Sequence, residues 1–205
     1  MRLTADDVPV VFHDPTLARA TGGADARAVH QVAFADLPLL GSGERIPRLE
    51  DALDLLRERL VNVELKADVS PASRLGAVPQ RLRVVRMTAA AVKRAARVEV
   101  VFSSFDPLSV VALLAAAPRI PRAILVGTTT PRMATVLPLT MWPAVVAAHL
   151  DDALLTSERI ERLLRAGLRV AAWTVNDPAR ADALAALGVA WIISDAPGAI
   201  CRRRT

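Results

Sequence analysis

Short apolar runs that stop on a charged or titratable residue recur along this sequence, and they restrict its fold more than any other feature. Val8-Pro9-Val10-Val11-Phe12 ends in His13-Asp14, and Val61-Asn62-Val63 ends in Glu64-Leu65-Lys66. Apolar runs of this length read as buried strands. Strands are predicted at 8–12, 61–65, 98–102, 122–126, 144–148, 168–173 and 190–194. Between them the period lengthens, and helices are predicted over 49–59, 87–96, 107–116, 156–166 and 178–186. Such alternation builds a parallel α/β sheet. When the sheet closes into a barrel, the carboxyl ends of its strands form the catalytic face. An imidazole and a carboxylate–ammonium pair at strand ends suit phosphate-ester chemistry. Neutral imidazole moves a proton near neutral pH, a carboxylate binds hard divalent cations, and an ammonium offsets phosphate charge.

Local punctuation supports the element boundaries. Asp106-Pro107 and Asp177-Pro178 each place a side-chain acceptor before a helix-opening proline, and Thr156-Ser157-Glu158 has N-terminal capping chemistry. Gly167 and Gly188 follow helix ends, where a left-handed residue is favoured. Asp6-Asp7 reads as the turn before the His13 strand, and 68–80, with Pro71, Gly76 and Pro79, reads as a loop. No repeat or composition shift marks a second domain, so one domain over 1–205 is expected.

The charge of +5 invites a nucleic-acid reading, but acidic residues are interspersed among the arginines. The dense clusters are confined to 81–86 and the tail 202–204, with neither a recognition motif nor a stacking platform beside them. Nucleic-acid binding is therefore set aside. The single cysteine, Cys201, excludes an intrachain disulfide. The start carries no apolar signal region, and the apolar stretch 136–150 is interrupted by Pro138 and Pro143 and is too short to span a bilayer. A cytoplasmic protein without a transmembrane segment is expected.

Six segments, in order, resemble the glycerophosphodiester phosphodiesterase family of the phospholipase C-like phosphodiesterase superfamily. They are Leu3 to Asp14, Ile46-Pro47-Arg48-Leu49-Glu50, Glu64-Leu65-Lys66, Phe102-Ser103-Ser104-Phe105-Asp106-Pro107, Trp173-Thr174-Val175-Asn176-Asp177-Pro178 and Gly188 to Asp195. The resemblance implies an α/β fold, a TIM-type (β/α) barrel, whose strands ending at Glu64, Phe102, Val126, Ala148, Trp173 and Ser194 are the third to the eighth. The family's first two strands carry a His-Arg-Gly motif and a Glu-x-Asp motif, and this sequence opens at Met1-Arg2-Leu3-Thr4, where the latter would end. Two barrel strands are thus expected to be missing from these residues, leaving an open sheet edge through which the chain self-associates.

The resemblance also implies an enzyme of glycerophospholipid metabolism that cleaves glycerophosphodiesters to sn-glycerol 3-phosphate and an alcohol. A divalent cation, Mg or Ca, polarises the phosphate while two histidines handle protons around attack by the glycerol 2-hydroxyl and then water. His13 matches the second of these histidines; its ordinary alternative is a loop hydrogen bond. Glu64 is the metal candidate, against a plain salt bridge to Lys66. Lys66 is the phosphate candidate, on the same strand face as Glu64 by alternation. Ser103, Phe105, Trp173 and Asn176 are substrate-binding candidates for which packing or loop bonding is the competing role. His149 ends a strand and is a further candidate for the same mouth. His30 is read as solvated, Asp195 as structural. A non-catalytic barrel that binds phosphorylated ligands or a protein partner is the alternative from a different class. A third reading keeps catalysis on another phosphodiester, such as a phosphoinositide or sphingomyelin.

Overall fold

Among the described residues there are eight strands and six α-helices. The computed structural model describes residues 1–66, 78–95, 98–130 and 145–201. By the density of its internal contacts, the chain divides into two units, Met1–Ile120 and Pro121–Thr205.

In the first unit, β1 (Arg2–Leu3) and β2 (Pro9–Val10) form an antiparallel pair with Arg2 opposite Val10 and Leu3 opposite Pro9. Their turn is built by Thr4, whose N–H donates to the Val8 carbonyl and whose Oγ1 accepts from the Val8 N–H at 3.0 Å. Asp7 sits there at a φ of 64°, a left-handed conformation that aspartate tolerates better than most residues. The predicted turn at Asp6-Asp7 is found, whereas β1, only two residues long, left no periodic signal to read. On its other side β2 bridges Arg48 through Val10, just before α1 (Leu49–Leu55). Val10, Leu17, Val29, Val32 and Ile46 close a small core under this segment.

Strand β3 (Leu60–Glu64) runs parallel to β4 (Glu99–Ser104) in unbroken register from Leu60 opposite Glu99 to Glu64 opposite Ser103. Alternation sends Val63, Leu65, Val100 and Phe102 into the main core with Leu53, Val85 and Leu113. Glu64 and Ser103 take the other face, as partners in register. Helix α2 (Val78–Arg94) begins nine residues before the predicted 87, so Val78–Gln80 are helical where a loop was expected. The rest of that expected loop lies outside the described residues. Pro79 falls in the first turn, where a missing N–H costs nothing, and Arg81 is buried in a 3.3 Å ion pair with Asp106. Helix α3 (Pro107–Ala116) has its predicted bounds, and Asp106 accepts from the Ser109 N–H as its cap.

The second unit carries β5 (Arg122–Val126), β6 (Val145–Asp151), β7 (Arg169–Trp173) and β8 (Trp191–Ile192), each parallel to the next. Helices α4 (Ser157–Arg165) and α5 (Pro178–Ala186) are capped by Thr156 and Asp177 as expected, and α6 (Pro197–Cys201) follows. Gly167 and Gly188 have φ of 78° and 90°. The small residues Ala147, Ala148, Ala171 and Ala172 are fully buried, with Ile124, Leu150, Ile160 and Leu184 filling the remaining space. The arginine tail 202–204 lies outside the described residues. Among those described, no helix is long and apolar enough to cross a membrane.

Candidate active site

Strand β2 delivers His13 three residues beyond its end. The imidazole is largely exposed, and its Nδ1 lies 2.8 Å from Asp14 Oδ1. Arg19 grips the same carboxylate, donating from Nε to Oδ2 at 2.5 Å and from Nη2 to Oδ1 at 3.0 Å. The Arg19 fork, and after it the His13 ring, hold the Asp14 carboxyl below the usual carboxylate range. An ionised carboxylate only accepts, so Nδ1 is the donor in this contact, and in a neutral ring the lone pair is then on Nε2.

Strand β3 delivers the second cluster. Lys66 Nζ donates to Glu64 Oε1 at 2.8 Å, both side chains being mostly covered. Their backbone is tied to the chain start: the Met1 nitrogen donates to the Glu64 carbonyl, and the Lys66 N–H donates to the Met1 carbonyl at 3.2 Å. One residue on, Arg2 is 6% exposed and sends Nε and Nη2 to the His13 carbonyl at 3.0 and 2.8 Å. Burial pushes its pKa down to about 10, against the opposing pull of Asp14 and Glu64. The Met1–Arg2 segment therefore connects the Glu64–Lys66 end of β3 to the His13 loop.

Ser103 and Phe105 belong to the same unit. Ser103 is fully buried beside Glu64, and its hydroxyl has no hydrogen-bond partner among the described residues. Ser104, one position on, donates to the Leu65 carbonyl at 2.8 Å and locks the two strand ends together. Phe105 leaves β4 with 41% of its surface exposed.

In the second unit, Trp173 ends β7 and donates its indole N–H to the His149 carbonyl at 3.1 Å. His149 is buried, 6.0 Å edge-to-face from the Trp191 ring. Asn176 uses both ends of its amide: Nδ2 donates to Asp195, and Oδ1 accepts from the Ser194 hydroxyl and the Asp195 N–H at 2.9 Å. The loop-bonding role weighed for Asn176 is therefore present, and Asp195 takes part in it. His30 is exposed. Arg2, Asp14, Arg19 and Ser104 were missed as site residues by sequence reasoning. Asp14 and Arg19 had a local signal in their spacing to His13, but nothing in the sequence says that Arg2 and Ser104 are buried.

Among the described residues no group of three or more His, Cys, Asp or Glu is placed to hold a metal ion. Glu64 is a single carboxylate with one oxygen already bound to Lys66. Hard cations need several oxygen ligands, so these residues do not by themselves make a divalent-cation site.

The Glu64–Lys66 pair thus closes a strand of a parallel β/α unit, and the His13 imidazole stands beyond β2. A sequence model of the Glycerophosphoryl diester phosphodiesterase family matches residues 1–199, and the chain belongs to that family of glycerophosphodiester hydrolases. It is 28% identical over 204 residues to a Mycobacterium tuberculosis protein named "Probable glycerophosphodiester phosphodiesterase 2", covering 95% of this chain and 74% of that one. A solved structure of the same family from Silicibacter pomeroyi is 26% identical with a TM-score of 0.81, covering 98% of this chain and 79% of the other. An Oleispira antarctica phosphodiesterase, solved with its product sn-glycerol-3-phosphate, shares the fold at 24% identity and a TM-score of 0.79, over 98% of this chain and 81% of its own. The expected α/β fold, that of the family's TIM-type barrels, is borne out by these likenesses.

The Arg19 fork generates a direct test. Arg19→Met is expected to bring the Asp14 pKa back up toward the ordinary value of about 4, read by carboxyl NMR titration. Because the folded-state pKa is depressed, this cluster contributes stability above the ordinary carboxylate range and loses it as pH falls below that range. An Asp14 titration unmoved by the substitution would contradict the assignment.

Proposed function

We propose that this chain hydrolyses glycerophosphodiesters to sn-glycerol 3-phosphate and an alcohol with His13 as its proton-transfer residue. The observation that carries the reading is the His13–Asp14–Arg19 arrangement beyond β2, in which a fixed carboxylate sets the imidazole tautomer and leaves Nε2 open. As the glycerol 2-hydroxyl oxygen bonds to phosphorus, the P–O bond to the alcohol breaks and a cyclic phosphate is left, which water then opens to sn-glycerol 3-phosphate. Nε2 takes the proton of the attacking hydroxyl or, once protonated, delivers one to the leaving alkoxide. One imidazole serves one of these two oxygens at a time. Lys66 neutralises the phosphate and Glu64 holds Lys66 in place, a 2.8 Å pairing of mostly covered groups. Ser103 offers its hydroxyl beside Glu64, and Phe105 offers an exposed ring for the glycerol or head group.

The family generally depends on a divalent cation. In this proposal Glu64 supplies one ligand to Mg or Ca, which would polarise the phosphate oxygen when bound. With the residues described, affinity for either ion is expected to be weak, about 1 mM or weaker. The absence of a second cysteine fits a cytoplasmic setting.

The same lone carboxylate favours a second reading, a barrel that binds phosphorylated ligands without turning them over. Both are decided by coupled detection of sn-glycerol 3-phosphate released from glycerophosphocholine in Mg or Ca, alongside calorimetry with sn-glycerol 3-phosphate. The hydrolytic reading expects metal-dependent release that His13→Ala abolishes and Glu64→Gln lowers by about 100-fold or more. Binding without release would establish the second reading in its place, and release indifferent to His13→Ala would remove His13 from the chemistry.

The edge of the first unit's sheet adds an expectation about assembly. Met1 covers the outer side of β3 at Glu64–Lys66, whereas Leu60 at its start is 49% exposed. A strand edge with an exposed leucine invites pairing with a second copy. Light scattering of the 205-residue chain is expected to show self-association, and a stable monomer across the micromolar range would count against it.

A further inference from the structure

We propose that Arg2 is the positioning residue of His13, setting the direction of the imidazole through the backbone rather than through the ring. The inference rests on the reading of His13 given above. A guanidinium that is 6% exposed is a costly group to bury, and a plain strand pair between Arg2 and Val10 does not need it. Its Nε and Nη2 both donate to the His13 carbonyl, at 3.0 Å and 2.8 Å. That carbonyl belongs to the peptide joining His13 to Asp14, so fixing its plane fixes how the imidazole and the carboxylate face each other across their 2.8 Å contact. Two charge-assisted bonds to one oxygen define an orientation, as a single ammonium cannot.

The anchor of this fork is itself fixed at both ends. On one side Arg2 pairs with Val10, and on the other the Met1 carbonyl accepts from the Lys66 N–H. Arg2 thus couples the position of His13 to the strand end that carries Glu64 and Lys66. Attraction from the Asp14 and Glu64 carboxylates opposes the cost of burying the guanidinium.

The test compares Arg2→Lys and Arg2→Gln with the wild-type chain. Lysine keeps the charge and loses the fork, so it separates orientation from electrostatics. Amide ¹⁵N relaxation at His13 and Asp14 needs no ligand or turnover. The wild type is expected to give rigid-backbone order parameters of about 0.85, and both variants values below about 0.6. In hydrolysis, both variants are expected to lose about 10-fold or more in kcat with KM within about twofold, since orientation acts on the reacting geometry rather than on substrate capture. In a chain without turnover, sn-glycerol 3-phosphate is expected to protect His13 from carbethoxylation in the wild type and not in the variants. Order and kcat restored by lysine would overturn the proposal in favour of a charge effect, as would variants that fold and remain rigid at His13. Should Arg2→Gln fail to fold, Arg2→Lys and the hydrogen-exchange protection of the wild-type Arg2 Nε–H still decide; an Nε–H exchanging as fast as that of exposed Arg19 would also overturn it. Wild-type His13 that is rigid yet not protected by sn-glycerol 3-phosphate would instead sink the functional reading and leave Arg2 in its role.

Discussion

The contact on which the site depends most is the buried guanidinium of Arg2 against the His13 carbonyl. His13 stands beyond the end of a two-residue strand, with its ring largely in solvent, where a loop on its own would sample many directions. Three fixed points remove that freedom: the Arg2 fork on the backbone, the Asp14 carboxylate on Nδ1, and the Arg19 fork on Asp14. Each partner is charged, so each bond is stronger than a neutral one, and together they turn an exposed histidine into a directed one.

The same unit handles charge on β3 by a different route. Glu64 and Lys66 lie two residues apart on one face, mostly covered, and compensate each other at 2.8 Å. The buried backs of the strands, Val63, Leu65 and Phe102, make the end of β3 rigid enough for this pair to keep its place. Ser104 then pins the Leu65 carbonyl, so the strand ends are set by hydrogen bonds as well as by packing. A buried hydroxyl without a partner, such as that of Ser103 beside Glu64, costs about 1–3 kcal/mol. Such a cost is common where a site awaits a polar ligand.

Much of this was legible in the residues themselves. Apolar runs gave β5 and the Asp-Pro caps gave α3 and α5 with their observed bounds, because both signals are local. Helix α2 was read too short, since Pro79 was read as part of a loop and nothing local tells that Arg81 pairs with Asp106 and Arg83 with Asp7. His13, Glu64 and Lys66 were visible because a titratable group closing an apolar run is conspicuous. Arg2 was not, because its meaning is tertiary: nothing near it in the sequence marks a buried arginine whose acceptor lies eleven residues away. For Asn176 the sequence left substrate binding and loop bonding side by side, and its loop bonds run to Ser194 and Asp195.

That His13 and the Glu64–Lys66 pair form one phosphate-handling site is the central claim, and a single titration addresses it. Side-chain NMR of the 205-residue chain with sn-glycerol 3-phosphate follows His13 and Lys66 together, with exposed His30 as the internal reference. One site predicts that the His13 ring and the Lys66 ammonium respond with the same apparent affinity while His30 stays still. Responses at His13 and Lys66 with unrelated affinities, or at neither, would contradict it.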